Sequence, residues 1–159
     1  MERRETDVKE TENRSTGKLS NPQNTIQVIQ KHGFAFQKKF GQNFLIDAHV
    51  LDKIIAAAGV TADDMVLEIG PGIGTMTQYL AERARQVTAV EIDTNLIPIL
   101  KETLSDYDNV TVINEDILKV DIKKLAEEYN GGKPSRWWPI CLLHHHADYH
   151  GTVRERSSH

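Results

Sequence analysis

The sequence predicts an α/β chain built on a parallel, doubly wound sheet, and three observations carry that prediction. Short apolar runs of strand length alternate with longer stretches whose apolar residues recur every three to four positions, from Met65 to Tyr129. Strands separated by helices pair in parallel. The first of the runs, Met65-Val66-Leu67, leads through Glu68 and Ile69 into Gly70-Pro71-Gly72-Ile73-Gly74, which sets three alternating glycines at a strand-to-helix junction. A turn without Cβ atoms lets a ligand approach the backbone closely. Glu91 ends the next apolar run, and an acid roughly 20 residues beyond such a turn accepts hydrogen bonds from the two hydroxyls of a ribose. The chain therefore looks built to hold a nucleoside-containing cofactor.

Each element follows from local pattern. Residues 1–21 are rich in Glu, Arg, Thr, Asn and Ser with no apolar period, and are expected to be disordered. From Pro22, Ile26 and Ile29 allow a short helix that ends at Gly33. Asp47 reads as the cap of a helix with Val50, Leu51, Ile54, Ile55 and Ala58 on one face, stopped by Gly59. A strand over 65–69, a helix over about 74–84 and a strand over 86–91 follow. Thr94 is expected to cap a helix reaching about residue 105, in which Leu96, Ile97, Leu100 and Leu104 face inward. Pro98 is tolerable there because it falls in the first turn. Val110–Asn114 is a third strand, and Asp121 caps a helix ending near Tyr129. Residues 22–134 thus make a partial domain.

Composition narrows the function classes. At 159 residues there is room for one ordinary domain, and a hydrophobic content of 39% leaves part of the chain outside a core. A single cysteine excludes an internal disulfide framework and fits a reducing, cytoplasmic setting. No apolar run is long enough to span a bilayer. The net charge of −4 hides an asymmetry: residues 1–39 carry eight Lys/Arg against five Asp/Glu, leaving an acidic remainder. A basic arm on an acidic body fits nucleic-acid contact, and equally a solvated tail.

Glycine spacing separates the candidate cofactors. Gly74 comes one position too early for G-x-G-x-x-G, with Thr75 where the third glycine would stand. Glu68, which precedes the turn, would repel a pyrophosphate but could bind an ammonium group directly or through water. S-adenosylmethionine has an amino-acid ammonium and no phosphate, so it fits better than NAD.

Four motifs in register carry a family resemblance. Phe40-Gly41-Gln42-Asn43-Phe44-Leu45-Ile46-Asp47, the glycine turn, Val90-Glu91-Ile92-Asp93 and Asn114-Glu115-Asp116-Ile117-Leu118 resemble successive motifs of the small-subunit rRNA adenine N6,N6-dimethyltransferases. The order and spacing match over about residues 30–134. The erythromycin-resistance rRNA methyltransferases are the nearest rival, and the wording of the first two motifs favours the housekeeping enzymes. The resemblance implies a Rossmann-like class I S-adenosylmethionine-dependent methyltransferase fold, here truncated after the third strand. It implies that Asn43 and Leu45 line the methionine end of S-adenosylmethionine, and that Gly70 and Gly72 pass beneath it. Glu91 would grip the ribose, Asp116 would accept from the adenine amino group, and Ile92 and Ile117 would lie against the ring faces. Taken alone, Asn43 serves ligand contact or loop hydrogen bonding equally well, and Lys38 and Lys39 suit rRNA phosphates or solvent equally. The implied partner is small-subunit rRNA in an immature small ribosomal subunit, bound by a cytoplasmic monomer with no metal and no membrane contact.

In such enzymes an Asn-Leu-Pro-Tyr or similar motif after the fourth strand holds and stacks the target adenine, whose N6 attacks the sulfonium methyl. That motif does not occur here. Residues 135–159 hold both Trp, the one Cys and five of the seven His, with no period of two or 3.6, so no fourth strand is expected and the tail is expected to be unstructured. The His144–His150 cluster matches no standard zinc spacing. Ser135–Cys141 can be back-translated so that a neighbouring frame reads Ile-Lys-Val-Val-Ala-Asn-Leu, a strand entering the expected motif. Leu143–His150 can likewise give Tyr-Tyr-Ile-Thr-Thr-Pro-Ile-Ile. Residues from about Ser135 onward are therefore expected to be out of frame and the chain inactive in methyl transfer. The alternative is a catalytically dead module that binds S-adenosylmethionine or RNA.

Overall fold

The computed structural model describes residues 17–33, 47–130 and 137–141. Its centre is a parallel sheet in the order β3-β2-β1-β4, made of β1 (Met65–Ile69), β2 (Gln86–Glu91), β3 (Val110–Asn114) and β4 (Trp137–Cys141). The first three strands have the bounds that the apolar runs predict. Helices α1 (Pro22–Lys31), α2 (Ala48–Ala58), α3 (Thr75–Ala81), α4 (Ile97–Thr103) and α5 (Ile122–Asn130) complete the described elements.

Register decides which side chains share a face. Val66 pairs with Val87, and Val87 with Val110, so alternate residues of the three strands line up. Val66 and Val87 pack with Leu51 and Ile55 of α2 and with Met76, Tyr79 and Leu80 of α3. A second cluster joins Ile73 of the glycine turn to Leu96, Ile99, Leu100 and Leu104 around α4, with Leu19 and Val28 against them. Burial of this kind contributes about 1.5–3 kcal/mol per large apolar side chain.

Capping follows the sequence closely at α2. Asp47 Oδ1 accepts from the N–H groups of His49 (2.9 Å) and Val50 (3.4 Å), and Gly59 closes the helix at φ +61°. At α5, Asp121 Oδ1 accepts from Lys124 N at 3.0 Å. Around α4 the cap moves back by one residue. Asp93, rather than Thr94, caps the segment by accepting from Asn95 N at 2.9 Å. A single 3-10 turn, Thr94–Leu96, then precedes α4. The physical reason is Pro98, which has no N–H to give the Thr94 carbonyl, so Ile97 N takes it instead. Likewise α3 stops at Ala81, where Arg83 N and Ala84 N both bond to the Leu80 carbonyl and tighten the exit.

Three further expectations are corrected. The segment read as disordered includes residues 17–21, which are packed: Leu19 is 0% exposed, and its N–H donates to Gln78 Oε1 at 2.9 Å. A lone anchoring leucine leaves no periodic signal. Residues 1–16 lie outside the described residues. In α1 the buried stripe is Thr25, Val28 and Ile29, while Ile26 is 51% exposed. The phase is set by Thr25, whose hydroxyl donates to the Leu19 carbonyl at 2.7 Å and so takes a buried place that hydropathy assigns to isoleucine.

The third correction concerns the truncation after the third strand. Trp137–Cys141 forms β4 and pairs in parallel with β1, Leu67 opposite Pro139. A strand in a parallel sheet reads as a continuous apolar run rather than an alternation. Trp-Trp-Pro-Ile-Cys-Leu-Leu is such a run, so the period-two criterion could not detect it. β4 is at the end of the strand order, the place where a strand tolerates a proline without N–H. Residues 131–136 and 142–159, with the histidine cluster, lie outside the described residues.

Leu19→Ala should destabilise the chain by about 3 kcal/mol through lost burial and a residual cavity, measured by urea unfolding. A loss below about 0.5 kcal/mol, the ordinary surface value, would show that residues 17–21 do not belong to the core.

Candidate cofactor-binding site

The glycine turn leaves the carboxyl end of β1 and is held from both sides. Gly70 N donates to the Val90 carbonyl of β2 at 2.9 Å, and Gly74 N donates to the Pro71 carbonyl at 3.0 Å. Gly70, Gly72 and Gly74 take φ of +71°, +61° and +94°, angles that L side chains adopt only with strain. Gly74 is further constrained by neighbours. A Cβ there would lie 3.1 Å from Thr103 Oγ1 and 3.2 Å from the side chains of Leu100 and Leu104. The third glycine, early for a dinucleotide fold, thus lets the turn close onto α4.

Glu91 meets this turn directly. Its side chain, nearly buried at the end of β2, accepts from Gly72 N at 3.3 Å through Oε2 and from Asp93 N at 2.9 Å through Oε1. Its carbonyl accepts from Asn114 Nδ2 at 2.7 Å and from Glu115 N at 3.1 Å. The glycine turn and the end of β2 are thus brought together at the carboxyl edge of the sheet, Gly70 bonding Val90 and Gly72 bonding Glu91. In open α/β sheets the ligand crevice lies outside that edge, beside the point where strand order reverses. Here the reversal falls between β1 and β4.

The remaining predicted residues differ in how they are engaged. Ile92 follows Glu91 and is 68% exposed, an apolar surface beside the carboxylate. Asp116 and Ile117 are half-buried just beyond β3. Asp116 also caps a 3-10 turn, Ile117–Lys119, its Oδ1 accepting from Leu118 N at 2.9 Å. A carboxylate has about four acceptor positions, so a capping Asp still has capacity for a ligand amino group. Asn43 and Leu45 lie outside the described residues, as do Lys38 and Lys39.

Asn114, the last residue of β3, ties the strand ends together. Its amide clamps the end of β2 through the Glu91 carbonyl, while its Oδ1 accepts from the Thr94 hydroxyl at 3.2 Å. The signal was available, because Asn is a poor strand former and is out of place closing a Val-Thr-Val-Ile run.

Glu68 is the site's electrostatic anomaly. It is 0% exposed, and neither carboxylate oxygen has a hydrogen-bond partner. Burial pushes its pKa up to about 7, and the Glu91 charge adds to the rise. The nearby Thr77 hydroxyl pulls the other way, although its geometry falls short of a hydrogen bond. Buried carboxylates ordinarily have partners. A cation, reached directly or through water, is what would satisfy this one, so an ammonium-bearing cofactor fits the donor set. Among the described residues no group of His, Cys, Asp and Glu could hold a metal ion.

A parallel sheet ordered β3-β2-β1-β4, a glycine turn after β1 and an acid closing β2 make a Rossmann-like fold, and the early third glycine with the buried Glu68 places it with the class I S-adenosylmethionine-dependent methyltransferases rather than the dinucleotide-binding folds. The family model for "Ribosomal RNA adenine dimethylase" matches residues 33–151. The "Ribosomal RNA small subunit methyltransferase A" of Lachnoclostridium phytofermentans is 70% identical over 117 residues, covering 73% of this chain and 40% of that protein. Its namesake in Alkaliphilus metalliredigens is 54% identical, covering 74% of this chain and 41% of that protein. Among solved structures, the 23S rRNA methyltransferase ErmE aligns with a TM-score of 0.47 at 46% identity, covering 49% of this chain and 32% of that one. The chain belongs to the ribosomal RNA adenine dimethylase family, and it spans about 40% of the length of the relatives named here.

The raised Glu68 pKa has a definite sign. The folded chain holds this proton more tightly than an unfolded chain, whose value is 4.5. That contribution to stability is complete below the unfolded value and is lost as pH rises through about 7. Without ligand, the loss should be on the order of 3 kcal/mol between about pH 4 and about pH 8. Urea unfolding of the wild-type chain and Glu68→Gln across this range checks it. The variant should lack that share of the pH dependence, and equal slopes would show that Glu68 ionises normally.

Proposed function

We propose that this chain forms the methyl-donor-binding part of an enzyme that transfers methyl groups from S-adenosylmethionine to N6 of adenines in small-subunit rRNA. The observation that carries this is the bond from Gly72 N to the Glu91 carboxylate. It sets a nucleoside-binding acid at the mouth of a glycine turn with a buried carboxylate, Glu68, at its base. Gly70 and Gly72 give close backbone approach, and Glu91 accepts from the ribose hydroxyls. Asp116 accepts from the adenine amino group, with the apolar surfaces of Ile92 and Ile117 for the ring faces. Asn43 and Leu45 hold the methionine end. The chemistry supplied by the cofactor when bound is an electrophilic methyl for attack by an adenine N6. The protein's part is chiefly orientation, since proximity supplies much of the barrier reduction.

The partner is rRNA of the immature small subunit, met by a monomer in the cytoplasm. The family match supports rRNA as the partner; among the described residues no helix is long and apolar enough to cross a membrane. Residues from about Ser135 onward are read as out of frame. The missing Asn-Leu-Pro-Tyr motif supports this, while the family match that continues to residue 151 and the β4 pairing require that any slip keep a strand there. The same missing motif favours a second function, a binding module without transfer activity.

Calorimetric titration with S-adenosylmethionine should show one site, weakened about tenfold or more (roughly 1.4 kcal/mol) by Glu91→Ala. A wild-type chain that binds no S-adenosylmethionine, or a variant that binds it equally, would remove the assignment. The chain alone should transfer no labelled methyl to immature small subunits. The encoding DNA downstream of Pro134 decides the frame: codons that give neither alternative peptide exclude a slip.

A further inference from the structure

Between the two helices that follow β1 and β2 lies a polar knot in an otherwise apolar core. Thr103, the last residue of α4, is buried, and its hydroxyl donates to the Ile73 carbonyl inside the glycine turn at 2.8 Å. Its carbonyl accepts from Gln78 Nε2 of α3 at 2.9 Å. The same Gln78 amide donates to the Gly17 carbonyl at 3.2 Å, and its Oε1 accepts from Leu19 N at 2.9 Å. Leu19 and Ile73, both bonded into the knot, belong to one apolar cluster with Val28, Leu96, Ile99, Leu100 and Leu104. One chain of bonds therefore runs from the N-terminal segment through α3 and α4 into the glycine turn.

Apolar residues of equal volume would fill this space. They would leave the carbonyls of Ile73 and Thr103 and the N–H of Leu19 without these partners, which is costly inside a core. The polar residues therefore select a single arrangement of the turn, since such bonds have angular demands that apolar contacts lack. Gly74 makes the arrangement possible, because a Cβ there would press on Thr103 Oγ1 at 3.1 Å.

We propose that Thr103 is a positioning residue for the methyl donor, holding the glycine turn in its binding shape through the Ile73 carbonyl, with Gln78 tying that hold to residues 17–19. The donor half of this statement rests on the turn being the S-adenosylmethionine seat; the hold on the turn does not.

Amide hydrogen exchange of the ligand-free chain, followed by NMR, tests the hold, and calorimetry with S-adenosylmethionine tests its consequence. Thr103→Val removes the hydroxyl at constant shape, Thr103→Ser keeps it, and Leu51→Ala damages the other core as a control. Thr103→Val should speed exchange at Gly72 and Gly74 by about tenfold and weaken binding by a similar factor, while Ile55 in α2 changes by less than about twofold. Thr103→Ser should stay within about threefold of wild type at the turn, and Leu51→Ala should affect Ile55 more than the glycines. Should the valine variant not fold, Thr103→Ala makes the same comparison. Serine behaving like valine, or exchange rising uniformly, would overturn the proposal. A loosened turn with unaltered binding would overturn the donor half. A wild-type chain that binds no S-adenosylmethionine removes the cofactor assignment, and the exchange pattern then still decides whether Thr103 holds the turn.

Discussion

The contact between the Gly72 N–H and the Glu91 carboxylate organises this molecule. It links the turn after β1 to the end of β2, and both partners depend on their surroundings. The turn can present its N–H only because its glycines tolerate positive φ. The carboxylate is in place because β1 and β2 pair in parallel, with Ile69 opposite Val90, so that Glu91 emerges one residue beyond the pairing. Asn114 then fixes the strand end through the Glu91 carbonyl. Carboxylate, turn and strand ends thus form one hydrogen-bonded assembly at the carboxyl edge of the sheet.

That assembly carries an electrostatic cost. Glu68 lies in β1, fully buried, with the Glu91 charge raising its pKa further. Burying a carboxylate with no partner is destabilising at neutral pH, and an apolar residue would serve the core better. A cationic ligand group would offset the penalty, which is the chemistry the proposed donor brings. The site therefore combines two acids with different tasks. One is tied to backbone N–H groups, and the other is left unsatisfied in the interior.

Much of this was legible along the chain because the signals are local. Strand bounds followed from apolar runs, the α2 cap from Asp47 and Gly59, and the residues that meet at the turn, Gly72 and Glu91, from glycine spacing and the acid at the end of β2. The failures were of another kind. Leu19 is a single anchor without a period, and Thr25 is a polar residue buried because its hydroxyl has a partner. β4 is a continuous apolar run in a search for alternation. In each case the deciding partner lies elsewhere in the chain or on another strand.

By itself, then, the sequence determined the alternation of strands and helices, the glycine conformations that the turn requires, and the residue types able to hold a nucleoside. Those properties depend on backbone sterics and on chemical groups near one another in the chain. Only the tertiary structure decided that Glu91 reaches Gly72, that Glu68 is cut off from water, that Asp116 also caps a turn, and that Thr103 and Gln78 brace the glycines from behind. Hydrogen bonds need partners within about 3 Å, and burial needs neighbours on every side. Both are set by how distant segments pack, which no local pattern encodes.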